Sequence, residues 1–127
     1  MLRNLIRKIP TGVCTIATTA LILWLTLAPH PTGDVSLPLF EGADKVVHAL
    51  MFGFLTWMFH IDLHKMTGGK TGACGVWMCV LAALLIGVII EWLQHIMALG
   101  RSMEVADIIA DGAGAVCAAI VICLTRK

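Results

Sequence analysis

The chain has 127 residues, 59% of them hydrophobic and only 13% charged, with a mean hydropathy of +0.92. An average soluble domain carries about 25% charged and about 45–50% apolar residues, and a chain this short could not hide so much apolar surface from water. A soluble domain is therefore excluded. The net charge of +1 and nine scattered basic residues leave no patch for nucleic acid.

The first apolar run extends over residues 9–28, with Pro10 at a tolerated helix-start position. It ends where Pro29 and Pro31 forbid continuation. Arg3, Arg7 and Lys8 precede it as they would a signal peptide, but the run is long and has no A-x-A site, so a retained helix is expected. The second helix is expected over 44–61, with Asp44 capping its first turn. The third covers 72–98 and contains the uncharged stretch Ala73–Ile90. The fourth covers 104–124. Each has roughly the 20 residues needed to cross the hydrocarbon. The whole chain, 1–127, reads as one all-α domain, an antiparallel bundle of four transmembrane helices.

Orientation follows from lysine and arginine placement. Arg3, Arg7, Lys8, Lys65, Lys70, Arg126 and Lys127 fall on one side, Lys45 and Arg101 on the other. Both termini are therefore expected in the cytoplasm. Five cysteines occur without a CxxC pair, so they are read as packing residues, with no redox or metal role. Gly68-Gly69-Lys70-Thr71 lacks the earlier glycine of a phosphate loop, since His64 stands in its place.

Ionisable groups inside a membrane span cost roughly 2.5–3.5 kcal/mol each on insertion scales and are functional candidates by default. Here they collect at the outer ends of helices. Asp44, Lys45 and His48 share one face of the second helix; Glu91, Gln94 and His95 share one face of the third; Asp107 and Asp111 are four apart on the fourth. Glu91 lies about 12 Å and Asp111 about 10 Å below their helix ends. The short turn Leu99–Met103 makes these two helices neighbours, with Arg101 in reach of both carboxylates. Taken singly, Asp44 reads first as a cap and Lys45 as a snorkelling anchor; Glu91 and Asp111 lie too deep for that.

The series Asp44-Lys45-x-x-His48, Glu91-x-x-Gln94, Gly100-Arg101 and Asp107-x-x-x-Asp111-x-x-Gly114 resembles the VanZ-like family over residues 20–124. This chain has Asp111 where the family often has asparagine, and Phe52 where it often has tyrosine. The resemblance implies a multi-pass protein of the bacterial cytoplasmic membrane. It also implies a cell-envelope context, since the founding member is associated with resistance to teicoplanin, a glycopeptide with a fatty chain. It attaches no enzymatic activity.

The leading expectation is a binding protein for an amphiphile of the outer leaflet, either a lipid-linked envelope precursor or a lipoglycopeptide such as teicoplanin. Its site would be Asp44, Lys45, His48, Glu91, Gln94, Arg101, Asp107 and Asp111. Lys45 and Arg101 would hold anionic groups, the carboxylates would accept hydrogen bonds, and His48 and Gln94 would orient the ligand. The expected partners are membrane lipids and that ligand; no cofactor and no resident metal are expected, and a homo-oligomer is left open. The alternative is an intramembrane enzyme acting on a lipid headgroup, its carboxylates and His48 and His95 holding a metal or exchanging protons. Against it, no serine or cysteine nucleophile stands beside a base and no HExxH spacing occurs. An ion-coupled carrier ranks last, because the inner half offers no matching polar relay. The charge state of Glu91 and Asp111 stays open.

Overall fold

The computed structural model describes residues 2–27, 43–97 and 105–125. Among these it is all-helical, with α1 Leu2–Lys8, α2 Val13–Leu27, α3 Ala43–Met66, α4 Ala73–Met97 and α5 Val105–Thr125. The last three are long and apolar enough to cross a membrane; α2 contributes a shorter apolar stretch, Val13–Leu25.

The first apolar run does not begin as expected at residue 9. A separate short helix, α1, comes first, and α2 starts only at Val13. Pro10 offers no N–H, and Gly12 turns the chain with φ at +94°, a value that side-chain-bearing residues rarely adopt. The second helix runs five residues past the expected Ile61, to Met66. It stops in a Schellman-type end: Gly69 N–H donates to the His64 carbonyl, Gly68 N–H to that of Lys65, and Gly68 supplies the left-handed residue with φ at +66°. The bounds of the other two helices fall within a residue of expectation wherever they are described.

Helix α3 packs most extensively on α5, then α5 on α4. Lys45 meets Asp107 and His48 meets Asp111, so α3 and α5 run parallel, with α4 reversed between them. Thr15 at the start of α2 meets Asp62 near the end of α3, so α2 runs antiparallel to α3. The shared core holds Phe52, Leu55, Val76, Ala83, Ile90 and Ala115, all buried. Leu50, Phe54, Leu81, Leu85 and Ile109 point outward and are exposed, the distribution required when the surrounding solvent is hydrocarbon. Two buried hydroxyls are satisfied within their own helices, Thr56 on the Phe52 carbonyl and Thr18 on that of Cys14.

The α3–α5 contact is glycine-dependent. A Cβ on Gly114 would stand 1.9 Å from the Ala49 carbonyl oxygen, and one on Gly53 would stand 3.1 Å from the Gly114 oxygen. Backbone therefore lies on backbone, as small residues permit between membrane helices. Gly114→Ala is expected to cost at least about 2 kcal/mol in a reversible denaturation assay in micelles. Gly72→Ala, which has open space around its added methyl, is expected to stay within about 0.5 kcal/mol of the parent.

Candidate functional site

Three helices each deliver part of a polar cluster near the Lys45 end of the bundle. Helix α3 brings Lys45 and His48 on one face, α4 brings Glu91, and α5 brings Asp107 and Asp111 one turn apart. The backbone approach at Gly114 sets the spacing between α3 and α5. Above it, His48 Nδ1 lies 2.9 Å from Asp111 Oδ1, and Lys45 Nζ donates to Asp107 Oδ1 at 2.6 Å. His48 Nε2 faces Asp107 Oδ2 at 4.0 Å, so one imidazole lies between the two carboxylates of α5.

Burial increases with depth. Lys45 and Asp107 keep 30% and 13% of their side-chain surface, whereas Asp111 keeps 1%. Glu91 is fully buried. Gly87, one turn before Glu91, makes room for Asp111: a Cβ there would stand 2.8 Å from Asp111 Oδ2 and 3.3 Å from the Phe52 ring. The Phe52 ring lies parallel to the His48 imidazole, with centroids 6.5 Å apart, and forms the apolar floor of the cluster. One donor atom from each of His48, Glu91 and Asp111 falls within 4.8 Å of the others. A nitrogen and two carboxylate oxygens are a donor set that a divalent cation accepts.

Of the residues singled out in the sequence, Lys45, His48, Glu91, Asp107 and Asp111 come together. The backbones of Asp44 and Gln94 lie in α3 and α4, while their side chains and the whole of Arg101 lie outside the described residues. His95 is exposed.

The sequence reading missed Asp62, which it placed in a connecting loop. Asp62 lies in α3 and is 7% exposed, and it accepts a hydrogen bond from the Thr15 hydroxyl. A signal for it existed. His48, Phe52, Leu55, Phe59 and Asp62 step by four and three residues along the core face, and the charge of Asp62 masked its place in that row. The end of the bundle away from the cluster thus holds a buried carboxylate of its own, Asp62.

On the other side of the α3–α5 contact lies an apolar groove of about 800 Å³, walled by Ala49, Gly53 and Trp57 of α3 and by Gly114, Ala118 and Val121 of α5. Lys45 precedes Ala49 by one turn on the same face, so the Lys45–Asp107 pair stands at one end of this groove.

These helices and this cluster define a small polytopic membrane protein with a histidine–carboxylate centre buried near one end of its bundle. The chain belongs to the VanZ/LLP1 family, whose family model matches residues 13–126. No curated protein matches it, and no solved structure does.

The half-buried Lys45–Asp107 pair should be coupled more strongly than surface pairs, which are worth about 0–1 kcal/mol. A double-mutant cycle of Lys45→Met and Asp107→Asn, followed by denaturation in micelles, is expected to give a coupling of about 1–3 kcal/mol. A coupling near zero would mean that the pair is no more than a solvated contact.

Proposed function

We propose that the protein binds a lipid-tailed ligand of the bacterial cell envelope in the outer leaflet of the cytoplasmic membrane. The observation that carries this reading is the juxtaposition of an acyl-compatible groove with a charged pair at its end and a buried polar cluster behind. The tail lies along the α3–α5 groove, which spans about 18 Å from Ala49 to Ile61 at the helical rise. The polar end sits at Lys45 and Asp107, where an ammonium and a carboxylate present one donor and one acceptor site to a phosphate, amide or sugar. His48, Asp111 and Glu91 hold that pair in place from within. The excess of basic residues at the opposite end of the bundle supports placing the cluster outward and both termini in the cytoplasm. A lipid-linked precursor and a lipoglycopeptide such as teicoplanin both have the required form, and sequestering the latter would contribute to resistance.

Native mass spectrometry of the protein released from detergent tests this reading. Wild type is expected to retain one defined envelope lipid. Lys45→Met, Glu91→Ala and the groove-filling Ala118→Phe should each lower that retention about tenfold, the effect of losing roughly 1.4 kcal/mol of binding. If wild type retains no lipid beyond those common to all four proteins, the reading is overturned.

One observation favours a second reading, metal-assisted chemistry on the ligand's headgroup. The donor atoms of His48, Glu91 and Asp111 converge from three helices, and Asp107 faces the second nitrogen of His48, where an orienting carboxylate is commonly found. A bound divalent ion would supply a Lewis acid there. Stoichiometric metal that is lost in Asp111→Asn and His48→Gln, measured by elemental analysis, is the result that would move the assignment to this reading.

A further inference from the structure

At the opposite end of α3, about 21 Å from His48 at the helical rise, a second cavity of about 360 Å³ lies between the α1–α2 turn, the last turns of α3 and the first turns of α4. Its wall is apolar, formed by Ile16, Phe59 and Met78 among others, and Ile16 and Met78 are largely exposed at its rim. It therefore opens toward lipid. Within this wall stands a carboxylate. Asp62 is more than nine-tenths buried; its Oδ2 accepts from the Thr15 hydroxyl, and its Oδ1 has no hydrogen-bond donor among the described residues.

A carboxylate oxygen left without a donor in such surroundings is costly. Lys65, one turn further along α3, does not supply the donor. It turns its ammonium to the Ile9 carbonyl at 2.8 Å. In doing so it draws the end of α1, with Arg7 and Lys8 in its last turn, to the rim formed by Thr11 and Gly12. One anionic acceptor thus lies inside the cavity, and the basic end of α1 is a few residues along the chain from its Thr11–Gly12 rim.

We propose that this cavity is a second lipid site, selective for a phospholipid with a primary ammonium headgroup drawn from the surrounding leaflet. The ammonium donates to Asp62 Oδ1, the phosphate lies toward Arg7, Lys8 and Lys65, and the acyl chains descend past Ile16 and Met78. The headgroup carries one positive and one negative centre, and with its ammonium turned inward to the carboxylate and its phosphate toward the basic residues, each charge meets its opposite. A quaternary ammonium has no N–H to give, so choline lipids are discriminated against by the unpaired acceptor they leave behind. Thr15 then has two effects: it fixes the Asp62 rotamer and ties α2 to α3. This site is independent of the groove between α3 and α5, and its occupant differs in charge pattern from the ligand proposed there.

The test is a headgroup competition on the full chain in micelles, read by native mass spectrometry. Equimolar phosphatidylethanolamine, its N-monomethyl and N,N-dimethyl derivatives and phosphatidylcholine are offered together. Wild type is expected to retain phosphatidylethanolamine over phosphatidylcholine by about tenfold, the effect of one charge-assisted hydrogen bond. Asp62→Asn keeps an acceptor for Thr15 and removes the charge, and it should abolish the preference while the melting temperature is kept. Indifferent retention of all four lipids by wild type would overturn the proposal without need of any variant. An unchanged preference in Asp62→Asn would overturn it as well. Displacement of the bound lipid by sodium or methylammonium chloride alone would contradict a lipid occupant and leave a small-cation site.

Discussion

The contact on which the rest of this structure depends is the approach of α5 to α3 at Gly114. No side chain separates the Gly114 backbone from the Ala49 carbonyl. In lipid, helices gain nothing from hiding apolar surface from one another, so close packing and buried polar contacts must supply the association. Here the two operate together. The glycine contact brings the helix axes close enough for His48 to reach Asp111 and for Lys45 to reach Asp107, and those polar contacts in turn hold the parallel pair in register.

The same contact divides the protein into two chemically different sides. Toward α4, Gly87 leaves space for Asp111, and Glu91 completes a buried polar cluster above the Phe52 ring. Away from α4, the small residues of α5 leave a groove in the bundle surface. A single feature of the sequence, glycine and alanine along α5, thus generates the hollow for an apolar tail and the convergence of ionisable groups. The proposed ligand combines the two kinds of surface for the same reason.

Much of this was legible in the sequence. Helices α4 and α5 follow from long uncharged or small-residue runs, and the meeting of Lys45, His48, Glu91, Asp107 and Asp111 follows from helical spacing and depth. Less legible were features set by local backbone geometry. Pro10 read as a helix start, but the turn at Gly12 delays α2 to Val13, because a positive φ leaves no mark in hydropathy. Asp62 read as loop because its charge ended the apolar run. Its partner, Thr15, is 47 residues away, and no local pattern reports that contact. The groove was also invisible, since its shape depends on how two helices cross and not on either helix alone.

A groove that holds a particular lipid-tailed ligand differs from one filled by the bulk bilayer in what a probe on its wall meets. Photocrosslinking from within the membrane tests this difference most directly. A photoreactive residue replacing Met58, on the groove wall, is compared with one replacing Leu85, on the exposed face of α4, in living cells, and the attached lipids are identified by mass spectrometry. The probe at Met58 is expected to capture an envelope lipid strongly enriched over its share of the membrane, and the probe at Leu85 ordinary phospholipid. The same lipid mixture at both positions would contradict a particular ligand in the groove.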